Sequence, residues 1–121
     1  MNKMILVVDD FETNLLVTQR ALEHKYEVLT AVSGEEALVI MDDNKPDMIL
    51  LDIDMPEMDG FATHERLKAH ANYAGVPVIY LTAMHDEEME FKGRLMGAVD
   101  FITKPFCAIT LQDRVDLHME E

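Results

Sequence analysis

Five short apolar runs recur along the chain, and each is followed by a stretch whose apolar residues repeat at helical spacing. The runs at 4–8 and 48–51 are continuously apolar, which is typical of strands that are covered on both faces. Strands that alternate with helices over short connections form a parallel sheet with helices on both faces. The sequence therefore predicts a doubly wound α/β fold with a five-stranded parallel sheet, in one domain over residues 1–121. Its strands are expected at 4–8, 26–31, 48–51, 78–81 and 99–103, and its helices at about 11–24, 34–43, 60–70, 87–96 and 107–119.

Short polar residues and one glycine mark the predicted helix boundaries. Asp10 and Asp86 each precede a helical segment, where a carboxylate can accept a hydrogen bond from the free N–H groups of the first turn. Ser33 is followed three residues later by Glu36, which is the pattern of a capping box. Gly97 follows the fourth helix and favours its termination.

The composition limits the classes of partner that the chain can bind. The net charge is −14 and the ten basic residues are scattered, which disfavours direct binding to nucleic acid or to an anionic membrane. No apolar run approaches the ~18 residues of a membrane span. The single cysteine, Cys107, excludes an intramolecular disulfide. We therefore expect a cytoplasmic protein without a membrane partner.

Polar side chains follow four of the predicted strands. In an open parallel sheet the carboxyl ends of the strands border a common crevice, so these side chains are expected to converge. Carboxylates that lie close together repel one another, and Mg²⁺ with its preference for oxygen ligands relieves that repulsion. An ammonium and a hydroxyl nearby can bind phosphoryl oxygens, and an aspartate can itself be the nucleophile. The residues concerned are Asp9, Asp10, Asp52, Asp54, Thr82 and Lys104.

Four motifs in this order closely resemble the receiver domains of response regulators in two-component signalling. The resemblance covers essentially the whole chain and implies a flavodoxin-like sheet with strand order 2-1-3-4-5. It also implies a phosphoacceptor domain that is not a turnover enzyme, although it assists its own phosphorylation and dephosphorylation. The motifs are Val8-Asp9-Asp10, then Leu51-Asp52-Ile53-Asp54-Met55-Pro56 with Met58-Asp59-Gly60, then Leu81-Thr82-Ala83, then Asp100-Phe101-Ile102-Thr103-Lys104-Pro105-Phe106.

The resemblance assigns the carboxylates their roles. Asp52 matches the residue that accepts the phosphoryl group. Asp10 and Asp52 match carboxylates that hold Mg²⁺ (or Mn²⁺), and Asp9 matches one that acts through a coordinated water. Asp54 matches the position that gives its backbone carbonyl to the metal.

The resemblance also implies roles for the residues around the phosphoryl group. Thr82 matches a hydroxyl that moves onto this group, Lys104 matches its ammonium partner, and Phe101 matches an aromatic residue that turns inward on activation. Asp54 and Met84 match positions whose side chains modulate hydrolysis of the acyl phosphate. The Lys104–Pro105 bond is expected to be cis, which would aim the lysine.

The implied partners are a sensor histidine kinase or a phosphotransfer protein, and a downstream effector or a fused output domain. Activation is expected to change the face formed by the fourth helix, the fifth strand and the fifth helix, which can also support a homodimer. Two arrangements stay open, a stand-alone receiver and the receiver end of a longer protein. Gly93, within the fourth helix, also has two interpretations: it loosens a helix that must move, or it leaves room against the sheet.

Two other classes of protein fit single motifs. A haloacid-dehalogenase-like phosphatase also has an Asp-x-Asp motif after a strand, but there the motif normally follows the first strand and here it follows the third. This phosphatase is the alternative function. A calcium loop that started at Asp52 would need glycine at position six and glutamate at position twelve, where the chain has Glu57 and Thr63. The five histidines lack metal-ligand spacing and are expected to be mostly exposed.

Overall fold

The computed structural model describes residues 2–55, 59–83 and 86–119, which fold into five strands and five α-helices. None of the helices in these ranges is long and apolar enough to span a membrane. The strands are β1 (Met4–Val8), β2 (Glu27–Ala31), β3 (Met48–Asp52), β4 (Val78–Thr82) and β5 (Asp100–Thr103). The helices are α1 (Glu12–Leu22), α2 (Gly34–Asp43), α3 (Gly60–Lys68), α4 (Glu87–Met96) and α5 (Ala108–Met119), with a short 3-10 helix at Ala71–Tyr73.

The sheet is parallel throughout, in the order β2-β1-β3-β4-β5. The predicted strand order is therefore confirmed. The register pairs Asp52 of β3 with Leu81 of β4, and Thr82 of β4 with Thr103 of β5. Because the carboxyl ends of these strands are level, the residues that end or follow them border one crevice.

Alternate residues of the central strands enter two separate cores. Met48 and Leu50 of β3 belong to the core on the side of α1 and α5, whereas Ile49 and Leu51 belong to the core on the side of α2 and α3. Every residue of β3 is buried. This two-sided covering is the physical reason for the continuous apolar runs in the sequence, and it gives the crevice a rigid floor.

Three predicted helix boundaries are confirmed. The Ser33 hydroxyl accepts the backbone N–H of Glu36, and the Asp86 carboxylate accepts that of Met89. Gly97 adopts a φ of 104° at the end of α4, a left-handed conformation that glycine tolerates far better than other residues.

The prediction that Asp10 caps α1 is wrong. The N-cap position is occupied by Phe11, one residue later. The carboxylate of Asp9 accepts the Phe11 N–H at 3.0 Å. Asp10 is instead an exposed member of a carboxylate cluster at the sheet edge.

Two strands extend further than predicted, and one short element was not predicted. β3 and β4 each end one residue later, so that Asp52 and Thr82 are held within the sheet and not in the loops that follow. α3 ends at Lys68, and the 3-10 helix follows, with the His70 side chain accepting the Asn72 N–H.

Candidate functional site

Three predicted site residues are buried where the central strands end. Asp9 follows β1, Asp52 ends β3 and Thr82 ends β4, and each is only 1% exposed. The backbone of Asp9 is held against β2, because its N–H donates to the carbonyl of Ala31 at 3.0 Å. Polar groups buried in this way are costly unless they are paired, so their partners determine what the site can do.

Lys104 is the cationic partner of the two buried carboxylates. Its Nζ lies 3.2 Å from Asp9 Oδ2 and 3.1 Å from Asp52 Oδ1. Its backbone N–H donates to the Thr82 carbonyl at 2.8 Å, and the peptide bond to Pro105 is cis, as predicted. Burial favours the neutral amine, but Asp52 and Asp9 outweigh it and raise the pKa of Lys104. The Lys104 side chain is therefore positively charged and lies beside Asp52.

The carboxylates of Asp9, Asp10 and Asp52 form a cluster in which one oxygen of each lies within 4.8 Å of the others. Burial and the Asp52 charge raise the pKa of Asp10. Burial and the Asp9 charge raise the pKa of Asp52, although the Asp54 N–H and Lys104 act in the opposite direction. The three carboxylates carry three negative charges when ionised, and the Lys104 ammonium compensates one of them. Two negative charges remain, and they reside on oxygen atoms that can bind a metal ion. This donor set fits Mg²⁺, a hard cation that binds oxygen ligands.

Asp54 connects the loop after β3 to the loop after β4. Its N–H donates to Asp52 Oδ1 at 3.0 Å. Its carboxylate Oδ2 accepts the Ala83 N–H at 3.1 Å and faces the Thr82 hydroxyl at 3.4 Å. The sequence did not reveal the Ala83 contact, because a backbone donor leaves no mark in the residue type. Met84, the other predicted modulator, lies outside the described residues.

Phe101 of β5 is already inside the protein in this structure, with 4% of its surface exposed. Its ring meets the Tyr80 ring edge-on at 5.6 Å between centroids, and the Arg94 guanidinium lies 5.1 Å from its centroid. A Cβ at Gly93 would lie 2.6 Å from Phe101 Cε2 and 3.1 Å from Tyr80 Cε2. A side chain at position 93 would therefore force the Phe101 ring to shift, which favours the second interpretation of this glycine.

A buried histidine lies behind this aromatic pair, contrary to the expectation that the histidines are mostly exposed. His64 is completely buried, with Nδ1 against the Tyr80 hydroxyl and Nε2 3.0 Å from the Tyr73 hydroxyl. Burial, together with the Lys68 charge, lowers the pKa of His64 to about 4. The signal for burial was present in the sequence, because His64 lies three residues from Leu67 on the inward face of α3.

The chain resembles known proteins along most of its length. A family model for the response regulator receiver domain matches residues 5–116. The alkaline phosphatase synthesis transcriptional regulatory protein PhoP of Bacillus subtilis is 40% identical over 116 residues, which are 95% of this chain and 48% of PhoP. The chain spans from about a quarter to half the length of the first curated relatives.

Solved structures agree with this similarity. The chemotaxis protein CheY4 of Vibrio cholerae is 30% identical, with a TM-score of 0.93 over 97% of this chain and 98% of CheY4. The receiver domain of the sensor histidine kinase PA1611 of Pseudomonas aeruginosa PAO1 is 27% identical, with a TM-score of 0.88 and full coverage of both chains. That structure contains a magnesium ion coordinated in its active site cleft.

Proposed function

The chain belongs to the response regulator receiver domain family, and we propose that it is a signalling switch that accepts a phosphoryl group on Asp52. The observation that carries this proposal is the position of Lys104 Nζ, 3.1 Å from Asp52 Oδ1 at the edge of the sheet. A buried carboxylate that is paired with one lysine and flanked by two more carboxylates is not needed for folding, because the neighbouring negative charges repel one another. It suits a site that must hold a highly charged group.

Phosphoryl transfer at this site requires mainly positioning and charge neutralisation. A lone pair on an Asp52 carboxylate oxygen forms the new O–P bond. The P–N bond of a donor phosphohistidine breaks, its electron pair returns to the imidazole, and the ring takes a proton from solvent. Lys104, whose pKa is raised, stays protonated and neutralises charge on the phosphoryl oxygens. Hydrolysis of the acyl phosphate later restores the Asp52 carboxylate.

Asp9, Asp10 and Asp52, with the backbone carbonyl of Asp54, would hold Mg²⁺ or Mn²⁺. Three oxygen donors within 4.8 Å and their excess negative charge support this assignment. The magnesium ion in the active site cleft of the PA1611 receiver domain supports it as well. When bound, such a cation neutralises the charge of the carboxylates and of the phosphoryl oxygens.

We further propose that the new charge on Asp52 draws in the Thr82 hydroxyl and thereby alters the face of α4, β5 and α5. A phosphoryl group adds charge near −2 and three strong acceptors, which can reorganise an adjacent loop. The face carries large apolar side chains that are available to a partner. Phe91 and Leu95, one turn apart on α4, are 68% and 72% exposed, and Ile109 on α5 is 69% exposed.

The proposed phosphodonor is a sensor histidine kinase or a phosphotransfer protein, and we place the exchange in the cytoplasm. The proposed receiver of the signal is a downstream effector or an output domain of the same polypeptide. PhoP, a transcriptional regulatory protein about twice as long as the match, illustrates the second arrangement. A homodimer through α4, β5 and α5 is a further proposed output. The domain itself, with a net charge of −14, is not expected to bind DNA directly.

The test is incubation with Mg²⁺ and acetyl phosphate, followed by intact-mass measurement. We expect the wild type to gain one labile phosphoryl group and Asp52→Ala to gain none, while removal of Mg²⁺ abolishes the adduct. Asp113→Asn, which removes an exposed carboxylate of α5, is the matched control and should react like the wild type. An adduct that persists in Asp52→Ala would overturn the assignment.

The phosphatase alternative makes an opposite prediction for phosphate esters. A haloacid-dehalogenase-like enzyme would hydrolyse p-nitrophenyl phosphate with many turnovers. A phosphoacceptor domain should release no nitrophenol beyond the background rate. Sustained turnover that depends on Asp52 would contradict the proposed function.

A further inference from the structure

We propose that the Asp54 carboxylate is a clasp that holds Thr82 and Ala83, at the end of β4, in their resting position and sets the threshold for activation. The inference rests on the proposed function, since it concerns what the Thr82 hydroxyl must leave in order to reach a phosphoryl group. It differs from a role of Asp54 in steering water during hydrolysis, because it acts before any phosphoryl group is present.

The clasp is defined by contacts on both of its sides. On one side the Asp54 N–H is bound to Asp52 Oδ1 at 3.0 Å, so the backbone of Asp54 is fixed to the proposed phosphoacceptor. On the other side its Oδ2 accepts the Ala83 N–H at 3.1 Å and lies 3.4 Å from Thr82 Oγ1. One exposed carboxylate thus links the proposed phosphoacceptor to Thr82 and Ala83 at the end of β4.

The clasp and a phosphoryl group would compete for the same donor. A threonine hydroxyl has one proton and can donate it to one oxygen at a time. If the Thr82 hydroxyl turns to a phosphoryl oxygen on Asp52, its contact with Asp54 is lost. The clasp stabilises the resting conformation. The net free energy by which a phosphoryl group favours the active conformation is therefore smaller by the free energy of the clasp.

Phe101, the aromatic residue of the predicted switch, already occupies the inward position that the resemblance associates with activation. Phe101 is already inward while the Asp54 contacts are formed, and Gly93 and Tyr80 leave it closely packed there. The inward ring position therefore coexists with the Asp54 contacts. For the Thr82 hydroxyl to reach a phosphoryl oxygen, its contact with Asp54 must be released.

A charge effect is the competing explanation, because a carboxylate near Asp52 also repels an anionic ligand. Two variants separate the explanations. Asp54→Asn removes the charge but keeps a side-chain oxygen that can accept the Ala83 N–H. Asp54→Ala removes both the charge and the acceptor.

The first measurement is amide hydrogen exchange at Ala83 in the 121-residue chain without ligand, followed by NMR. If the hydrogen bond between Ala83 N–H and Asp54 slows exchange about fivefold, its free energy of opening is about 1 kcal/mol. We expect exchange to be about fivefold faster in Asp54→Ala, while Asp54→Asn retains most of the protection. Equal exchange rates in the three proteins would overturn the proposal.

The second measurement is the affinity for beryllofluoride in the presence of Mg²⁺, titrated by NMR. The clasp predicts that Asp54→Ala binds several-fold more tightly than Asp54→Asn. If the two variants bind equally, Asp54 acts through its charge alone and the clasp is refuted. If the wild type binds no beryllofluoride, the proposed function fails instead, and the Ala83 exchange rates still decide whether the clasp exists.

Discussion

Removal of the Asp52 charge is expected to stabilise the folded protein while it destroys the proposed phosphoacceptor. The ionised Asp52 carboxylate lies within 4.8 Å of Asp9 and Asp10, and two unit charges at this distance repel by ~3.5 kcal/mol in an effective dielectric of about 20. Its attraction to Lys104 at 3.1 Å contributes about 5 kcal/mol on the same scale. Two repulsions against one attraction leave ~2 kcal/mol, and solvent screening at the exposed Asp10 reduces this to ~1–2 kcal/mol.

The direction of the pH dependence follows from the raised pKa of Asp52. A carboxyl group whose pKa is higher in the folded than in the unfolded state binds more protons when folded. Stability therefore falls as the pH rises from the unfolded value of 3.8 through the raised folded value, and at neutral pH the full cost is present. Asp52→Asn removes this cost, so its advantage over the wild type should appear at neutral pH and shrink in acid.

The assay is urea unfolding at pH 7 and low salt, with thermal unfolding as a second measure. We expect Asp52→Asn to raise the free energy of unfolding by ~1–2 kcal/mol, or roughly 4 °C in Tm for each kcal/mol. Mg²⁺ should stabilise the wild type more than the variant, because the cation relieves the same repulsion. Asp113→Asn is the control for the change in net charge. If Asp52→Asn is less stable than the wild type at pH 7, the reasoning about repulsion is refuted.

Two further predictions concern the core behind the site. Gly93→Ala should destabilise the domain by ~1–3 kcal/mol in spite of its gain in helix propensity, because its Cβ would overlap Phe101, and addition of Phe101→Leu should recover part of the loss in urea unfolding. The low pKa of His64 means that the unfolded state takes up a proton there before the folded state does, so the contribution of His64 to stability should decrease by about 3 kcal/mol as the pH falls from 6.5 to 4. Urea unfolding at a series of pH values should show that His64→Gln loses this contribution and has a flatter pH dependence than the wild type.

The sequence was most informative where backbone geometry alone determines position. Parallel strands with level ends bring Asp9, Asp52, Thr82 and Lys104 together, and each of these residues is recognisable because it directly follows a predicted strand. The four polar positions at the sheet edge were therefore predictable, whereas the strand order was implied by the family resemblance. That regularity does not fix a helix start to the residue, and for this reason the role of Asp10 as a cap was predicted wrongly.

The features that could not be predicted depend on side-chain packing or on backbone donors. The inward position of Phe101 results from space left by Gly93 and from the Tyr80 ring, and neither contact has a periodic signature. The Ala83 N–H that binds Asp54 is a main-chain group, so it is invisible in the residue types. The site could thus be located from the sequence, whereas its resting contacts required the structure.

Several carboxylates lie side by side at the sheet edge, and the proposed function selects one of them, Asp52, as the phosphoacceptor. To identify the residue that is modified, the wild type is treated with Mg²⁺ and acetyl phosphate, the acyl phosphate is reduced with borohydride, and the reduced residue is located by peptide mass spectrometry. We predict that the reduced residue is found at position 52 only. Reduction at Asp9, Asp10 or Asp54 instead would contradict the proposed role of Asp52 and of its pairing with Lys104.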